Sequence, residues 1–357
     1  MELSGLTIIL TDRCNFKCAY CYQKKGRLSL DPAVLSRVLH FFQRFFAREC
    51  FIDFYGGEPL LAFDMIRRAV DQTDGFAEKR GFKAHYSIST NGSLLSDDVL
   101  DFLEDHEFSV LLSFDGFAQD ISRKRGSFGF LVSAIEKILK RPWISLETNS
   151  VFTSDTVRYL SRSIELIDQL GVRKMSVGFG HRPPWTSSSD LRQKKEIARV
   201  RKYFRSHYQK IADIPWADLV EPSEKAISAC AAGLNKMALA ADGTLWGCFL
   251  FPQYFSGSKK IREAQKYCFG HVDTFITDYH KVYPRTIENY AALRMDNFFT
   301  PDGSCAVCDE VEECWVCPLA AALTSRKIGR IPALVCGGAK MWRREKRRLL
   351  EQFKKLN

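Results

Sequence analysis

Thr11-Asp12-Arg13-Cys14-Asn15-Phe16-Lys17-Cys18-Ala19-Tyr20-Cys21-Tyr22 sets three cysteines in the spacing C-x3-C-x2-C. A [4Fe–4S] cluster has four iron corners, and each needs a ligand. Three thiolates therefore leave one corner open for a group that is not protein. A structural zinc site is the plainer alternative, because cysteines clustered near a turn also suit tetrahedral zinc. Zinc sites usually close with a fourth Cys or His nearby, however, and the nearest histidine, His40, falls in an apparent helix.

The cysteine loop directly follows an apolar strand-like run, Leu6–Leu10. Similar runs recur at Phe51–Tyr55, His85–Ser89, Val110–Phe114, Leu146–Phe152 and Met175–Phe179. Amphipathic stretches lie between or after them near Asp31–Arg48, Phe63–Arg80, Ser96–His106, Phe128–Leu139, Asp155–Leu170 and Asp190–Tyr208. Six β/α units predict an α/β fold of parallel strands covered by helices. In barrel-type folds the loops at the carboxyl ends of such strands hold the chemistry. Near Ile211–Pro222 the pattern breaks at Pro215, Trp216 and Pro222, which reads as a connector. Ala238–Trp246 then reads as a β-hairpin turning at Asp242-Gly243.

Phe54-Tyr55-Gly56-Gly57-Glu58-Pro59 ends the second predicted strand, on the rim that carries the cysteine loop. Its glycines let backbone approach a ligand closely, and its glutamate offers a carboxylate to a cationic group. Ser89-Thr90-Asn91-Gly92 follows the third strand and Ser113-Phe114-Asp115-Gly116 ends the fourth. Both Asn-Gly and Asp-Gly also fit simple turns.

Together these segments resemble the radical S-adenosylmethionine (SAM) superfamily. The resemblance implies that Cys14, Cys18 and Cys21 hold a [4Fe–4S] cluster whose open iron is chelated by SAM. Reduction of the sulfonium would then give methionine and a 5′-deoxyadenosyl radical that takes hydrogen from unactivated C–H bonds. It also implies SAM contacts for Tyr20 against the adenine, for Gly56, Gly57 and Glu58 at the amino group, for Asn91, and for Ser113 and Arg123 toward ribose and carboxylate. Asp120-Ile121-Ser122-Arg123 stands where the peptide- and protein-modifying members often have HD-x-x-R, with Gln119 in place of the histidine.

The later cysteines are Cys230, Cys248, Cys268, Cys305, Cys308, Cys314, Cys317 and Cys336. Their spacing resembles the SPASM extension of radical SAM enzymes, which carries two auxiliary [4Fe–4S] clusters; here only Trp315 and Val316 separate the last pair of the compact run, where three residues are usual. The resemblance implies an outer cluster on Cys305, Cys308, Cys314 and Cys336 and an inner one on Cys230, Cys248 and Cys317. Cys268 is left open between a fourth ligand of the inner cluster and a buried or reactive thiol. Cys50, at the end of a predicted helix, is expected in the core. Zinc knuckles remain the alternative for the array. The expected organisation is a partial (β/α)6 radical SAM barrel over 1–210, a connector over 211–229, a smaller cysteine-rich α+β auxiliary-cluster domain over 230–340 and a basic helix over 341–357.

The chain has 357 residues, twelve cysteines and a formal net charge of +10. No signal peptide or membrane-length apolar run is seen, so a disulfide-stapled secreted protein is a poor fit and a soluble, cytoplasmic protein in a reducing setting is expected. Basic residues concentrate in Met341–Arg348 and at Lys354-Lys355. They are either a solvated helix face or an attraction to an acidic peptide or protein; no nucleic-acid module accompanies them.

The resemblance implies an enzyme that takes a hydrogen from a residue of a ribosomally made precursor peptide and completes an oxidation, such as a C–C or thioether crosslink. It also implies an external electron donor. No winged leader-binding domain fits before Cys14 or after Cys336, so a separate leader-recognition protein is a further expected partner. An anaerobic sulfatase-maturating enzyme, forming formylglycine, is the alternative. Such enzymes place an aspartate after the cysteine equivalent to Cys248, where this chain has Phe249. A multi-cluster electron carrier or a zinc-stabilised binding protein is the reading from another class.

Overall fold

The computed structural model describes residues 2–23, 25–180, 183–220, 232–255, 262–295, 304–311, 314, 316–325, 327–328 and 330–354. Cys230 lies outside them. In the first part of the chain, strands and helices alternate: β1 (Leu3–Ile9), α1 (Pro32–Phe42), β2 (Phe46–Tyr55), α2 (Phe63–Arg80), β3 (Lys83–Thr90), α3 (Asp97–Asp105), β4 (Ser109–Ser113), α4 (Phe128–Leu139), β5 (Ser145–Phe152), α5 (Leu160–Gln169), β6 (Met175–Phe179) and α6 (Ser187–His207). After residue 220 come β7 (Lys236–Leu239), β8 (Thr244–Trp246), α7 (Leu250–Phe255), β9 (Cys268–His271), α8 (Val272–Met295), α9 (Pro318–Ser325) and α10 (Ala333–Lys354). No helix of the described residues is long and apolar enough to cross a membrane.

Local chemistry fixes many boundaries. The Asp31 carboxylate accepts from the Ala33 and Val34 amides and Pro32 opens α1, a standard helix start. Helix α2 stops at Gly81, whose φ of 73° provides a left-handed C-cap. A capping box of Thr186 and Ser189 starts α6.

The helix expected over Asp31–Arg48 is shorter, ending at Phe42, and β2 begins four residues later at Phe46. Phe45 and Phe46 continue the helical apolar spacing, which hides the break. Tertiary pairing decides it, because Phe46 aligns with Leu3 at the start of β1. Cys50 consequently sits in a strand rather than at a helix end, although fully buried as expected.

The chain forms two compact units. One comprises 1–14, 22–87 and 223–339; the other comprises 15–21, 88–222 and 340–357. In the first, β1 pairs in parallel with both β2 and β7, and the antiparallel β7–β8 and β8–β9 ladders follow. The β7–β8 hairpin turns at Asp242-Gly243 as its sequence predicts, with Gly243 at φ 79°. Its core includes an aromatic cluster of Phe251, Tyr267, Phe269 and Tyr290, and Tyr290 ties loops together by accepting from the Gly247 amide and donating to the Tyr267 carbonyl, both at 2.7 Å.

In the second unit β5 pairs in parallel with β4 and β6. Alternate residues of β5, Leu146, Thr148, Ser150 and Phe152, point into buried surroundings. Helix α6 buries Ile197, Val200 and Phe204, and Phe204 meets the fully buried Trp216, which packs edge-on against Trp342 of α10. Glu345, also buried, pairs with Arg201 and Arg348.

Candidate active site

The cysteine loop belongs to both units: Thr11–Cys14 to the first and Asn15–Cys21 to the second. In the first unit, loop and Gly-Gly-Glu-Pro segment are joined backbone to backbone. Gly57 donates to the Thr11 carbonyl at 2.7 Å and Glu58 to the Arg13 carbonyl at 2.8 Å. Glycine is required here by closeness of approach, since a Cβ on Gly57 would lie 2.2 Å from the Arg13 oxygen. The Glu58 side chain is fully buried and accepts from the Leu60 amide, capping a short 3-10 turn. Burial raises the Asp12 carboxyl above its ordinary pKa, with the Asp242 charge adding to it.

In the second unit, polar side chains brace the rest of the loop. Asn91 donates to the Asn15 side-chain oxygen and Asn15 to Ser93, both at 2.8 Å, and Ala19 donates to the Ser122 carbonyl at 2.8 Å. Asp115 is the hub. Its carboxylate is fully buried and pairs with Arg123 at 2.9 Å, while accepting from the Tyr20 hydroxyl, the Ser122 hydroxyl and the Val151 amide. Arg123 also donates to the Asn149 carbonyl at 2.9 Å, stands over the Tyr20 ring, and leaves its Nε buried without a partner.

Burial alone would lower the Arg123 pKa; Asp115, with Tyr20 and Cys18, outweighs it and holds the guanidinium above its ordinary value. Burial pushes the Tyr20 hydroxyl well above the usual tyrosine range. Gln119 closes the network, accepting from the Asp115 amide and donating to Ser127. Ser113 is half-buried at the end of β4.

Asp115 and Gln119 were not singled out by sequence reasoning as site residues. The Asp115-Gly116 dipeptide reads as a turn, and Gly116 does adopt φ 57°. Nothing local announces that its carboxylate is the buried acceptor for a loop almost a hundred residues earlier.

None of the eleven described cysteines is joined in a disulfide. Among the described residues no group of three or more His, Cys, Asp or Glu side chains is arranged as a metal site. The donor chemistry nonetheless suits iron–sulfur ligation, because Cys14, Cys18 and Cys21 are half-buried thiols within one short loop. In the first unit Cys305, Cys314 and Cys336 pack on one apolar cluster of Val316, Ala321, Ile331 and Ala339. Cys248 and Cys317 both act electrostatically on the half-buried Tyr254, and Cys248 and Cys268 on the buried Tyr290. Burial pushes the Cys268 thiol up to about 11, offset in part by the Gly270 amide that it accepts from.

Residues 8–152 match the family model described as the radical SAM superfamily. A probable GTP 3′,8-cyclase of Methanopyrus kandleri is 28% identical over 268 residues, covering 70% of this chain and 83% of that protein. A cysteine-type anaerobic sulfatase-maturating enzyme of Clostridium novyi is 26% identical over 180 residues, covering 45% of this chain and 46% of the enzyme. Among solved structures, native anSMEcpe with bound AdoMet and Cp18Cys peptide superposes with a TM-score of 0.76 over 99% of both chains, at 16% identity. That similarity establishes the fold, a mostly parallel α/β architecture followed by a cysteine-rich region.

Proposed function

We propose that this chain, whose residues 8–152 match the radical SAM superfamily, is a peptide-modifying radical SAM enzyme. In this reading it takes a hydrogen atom from a residue of a precursor peptide and completes an oxidation that forms a C–C or thioether crosslink. When bound, the cluster and SAM supply a one-electron cleavage of the sulfonium and a radical strong enough for C–H abstraction. The protein supplies position and shelter. Cys14, Cys18 and Cys21 hold the cluster. Gly56, Gly57 and Glu58 bring backbone and carboxylate to the SAM amino group, while Tyr20, Asn91, Ser113 and Arg123 shape the remainder of its site. Arg123 acts with Asp115 to fix Tyr20.

The observation that carries the reading is the three-thiolate loop bonded through its backbone to Gly57 and Glu58. A peptide substrate is supported by the likeness, over 99% of both chains, to native anSMEcpe with its bound Cp18Cys peptide. Oxidation of that substrate is supported by the later cysteines: Cys305, Cys308, Cys314 and Cys336 would hold one auxiliary cluster, and Cys248, Cys317 and Cys268 with Cys230 another. An external donor would supply the electron for the cluster held by Cys14, Cys18 and Cys21, and clusters held by the later cysteines would offer electron acceptors for the substrate oxidation.

Sulfatase maturation is the second reading, supported by the likeness to the Clostridium novyi enzyme. One side chain favours crosslinking over it. Phe249, which follows Cys248, packs its ring 4.8 Å from that of Tyr55 and offers no proton acceptor where the formylglycine-forming enzymes keep an aspartate.

The test begins with iron and acid-labile sulfide per chain on anaerobically purified protein, which should be about twelve irons, falling to about eight in the Cys14/Cys18/Cys21→Ala variant. The reduced protein is then given SAM with a short peptide encoded beside its gene, with a sulfatase peptide, or with GTP. A crosslinked peptide two hydrogens lighter and inert to aldehyde reagents supports the proposal. An aldehyde-bearing sulfatase peptide, or 5′-deoxyadenosine formation driven by GTP alone, would replace it.

A further inference from the structure

Beside the cysteine loop, within the first unit, lies a cavity of about 260 Å³. Its apolar walls are Ile9 and Leu28, Ala240 and Ala241 just beyond β7, and Pro252 of α7. Its polar lining comprises Asp12, Asp242, Gln253 and Lys25. Pockets that enclose whole small molecules run to about 300–1,000 Å³, so this one is scaled to a single long side chain.

The polar groups are the informative part. Gln253 is only 7% exposed, yet its side-chain amide makes no hydrogen bond among the described residues. Its side chain lines the cavity, which leaves the amide oxygen for a donor that enters there. The Asp12 carboxylate is half-buried and likewise has neither hydrogen bond nor ion pair among the described residues. Asp242 is held in place: one of its oxygens accepts from the Thr244 amide at 3.0 Å and hydroxyl at 2.6 Å, which leaves the other for a ligand. Lys25 has an interaction of its own and forms no described ion pair with either acid.

Two carboxylates and an amide oxygen around an aliphatic throat are acceptors arranged for a planar group with several N–H donors, and a guanidinium has five. We propose that this cavity binds an arginine side chain of the peptide substrate. The stem would lie along Ile9, Leu28 and Pro252, and the guanidinium would meet Asp12, Asp242 and Gln253. The identity of the occupant as a substrate residue rests on the peptide-modifying reading; the guanidinium preference does not. Arginine at a fixed distance from the reacting residue would then set the register of the peptide.

The experiment measures binding alone, without SAM or reductant, so its result is independent of any turnover. Cluster-loaded full-length protein is titrated anaerobically with Nα-acetyl-arginine methylamide and with its neutral isostere, Nα-acetyl-citrulline methylamide. Saturable binding of the arginine probe is expected, at least about tenfold tighter than the citrulline probe. Asp242→Asn, which keeps the turn-forming oxygen, and Gln253→Leu should each weaken it about tenfold with unchanged thermal melting. Equal binding of the two probes by the wild type, or wild-type affinity in both variants, would overturn the proposal.

Discussion

Replacing Arg123 by Met tests whether the buried Asp115–Arg123 pair is what sets the cysteine loop against the strand ends in the second unit. Methionine keeps most of the aliphatic volume and removes the charge. The pair is short at 2.9 Å, and its two side chains are 6% and 0% exposed, so water cannot replace the lost guanidinium without opening the unit. Removing one partner of a buried pair costs about 3–5 kcal/mol. Asp115 keeps three neutral donors, from Tyr20, Ser122 and Val151. They still solvate part of the stranded charge, which places the loss near the low end, about 3 kcal/mol. Arg123→Lys retains the charge and forfeits mainly the bond to the Asn149 carbonyl, for about 1 kcal/mol. Urea unfolding followed by tryptophan fluorescence reads mainly this unit, since four of the six tryptophans, Trp143, Trp185, Trp216 and Trp342, belong to it. A loss below about 1 kcal/mol for Arg123→Met, or equal losses for Met and Lys, would refute the assignment of Asp115 as a charged hub.

Other outcomes follow from the same geometry. Gly57→Ala should lower the iron retained per chain and the cluster absorbance, because the new Cβ would collide with the Arg13 carbonyl at 2.2 Å and push the cysteine loop outward; wild-type iron content would show that the loop tolerates the shift. Tyr20→Phe removes one bond to Asp115 and should cost about 1 kcal/mol. In a pH titration watched at the phenolate band, wild type and Tyr20→Phe should coincide up to the alkaline unfolding limit, since burial holds the Tyr20 proton.

Cys50 should resist alkylation in the native protein, its thiol pushed up to about 12 chiefly by burial, with the Asp53 charge adding. A raised folded pKa means the native state holds this proton more tightly than the unfolded chain. Its contribution to stability is therefore complete below the ordinary thiol value of 9.0 and is lost as pH climbs toward 12. Rapid modification at pH 8 in native protein would contradict that burial.

Much of this fold is written locally. Apolar periodicity marks α2 and α4 to the residue, Gly81 marks the end of α2, and Asp242-Gly243 marks its hairpin, because each depends on neighbours a few positions away. The true start of β2 is invisible locally, since Phe45 and Phe46 extend the helical pattern and only pairing with Leu3 makes the segment a strand. The site divides in the same way. Cysteine spacing and the Gly-Gly-Glu-Pro run are contiguous signals. Asp115 gathers donors from Tyr20, Ser122 and Val151, and Gln253 becomes informative only when it is found lining the cavity with Asp12 and Asp242. Such roles belong to positions in space, and a single sequence carries no trace of them.

The pairing of β1 with β7 also governs how this chain must be made. Ile8 leaves the ribosome about 230 residues ahead of its partner Leu239. At about 5–20 residues per second this strand spends roughly 12–45 s with one edge unsatisfied. Throughout that interval its backbone amides and carbonyls can pair with a neighbouring nascent chain. Expression of the N-terminal half alone would make that exposure permanent. Slower translation is no remedy here, since it lengthens the wait; a chaperone that shields the open edge, or a lower density of ribosomes on the message, guards it.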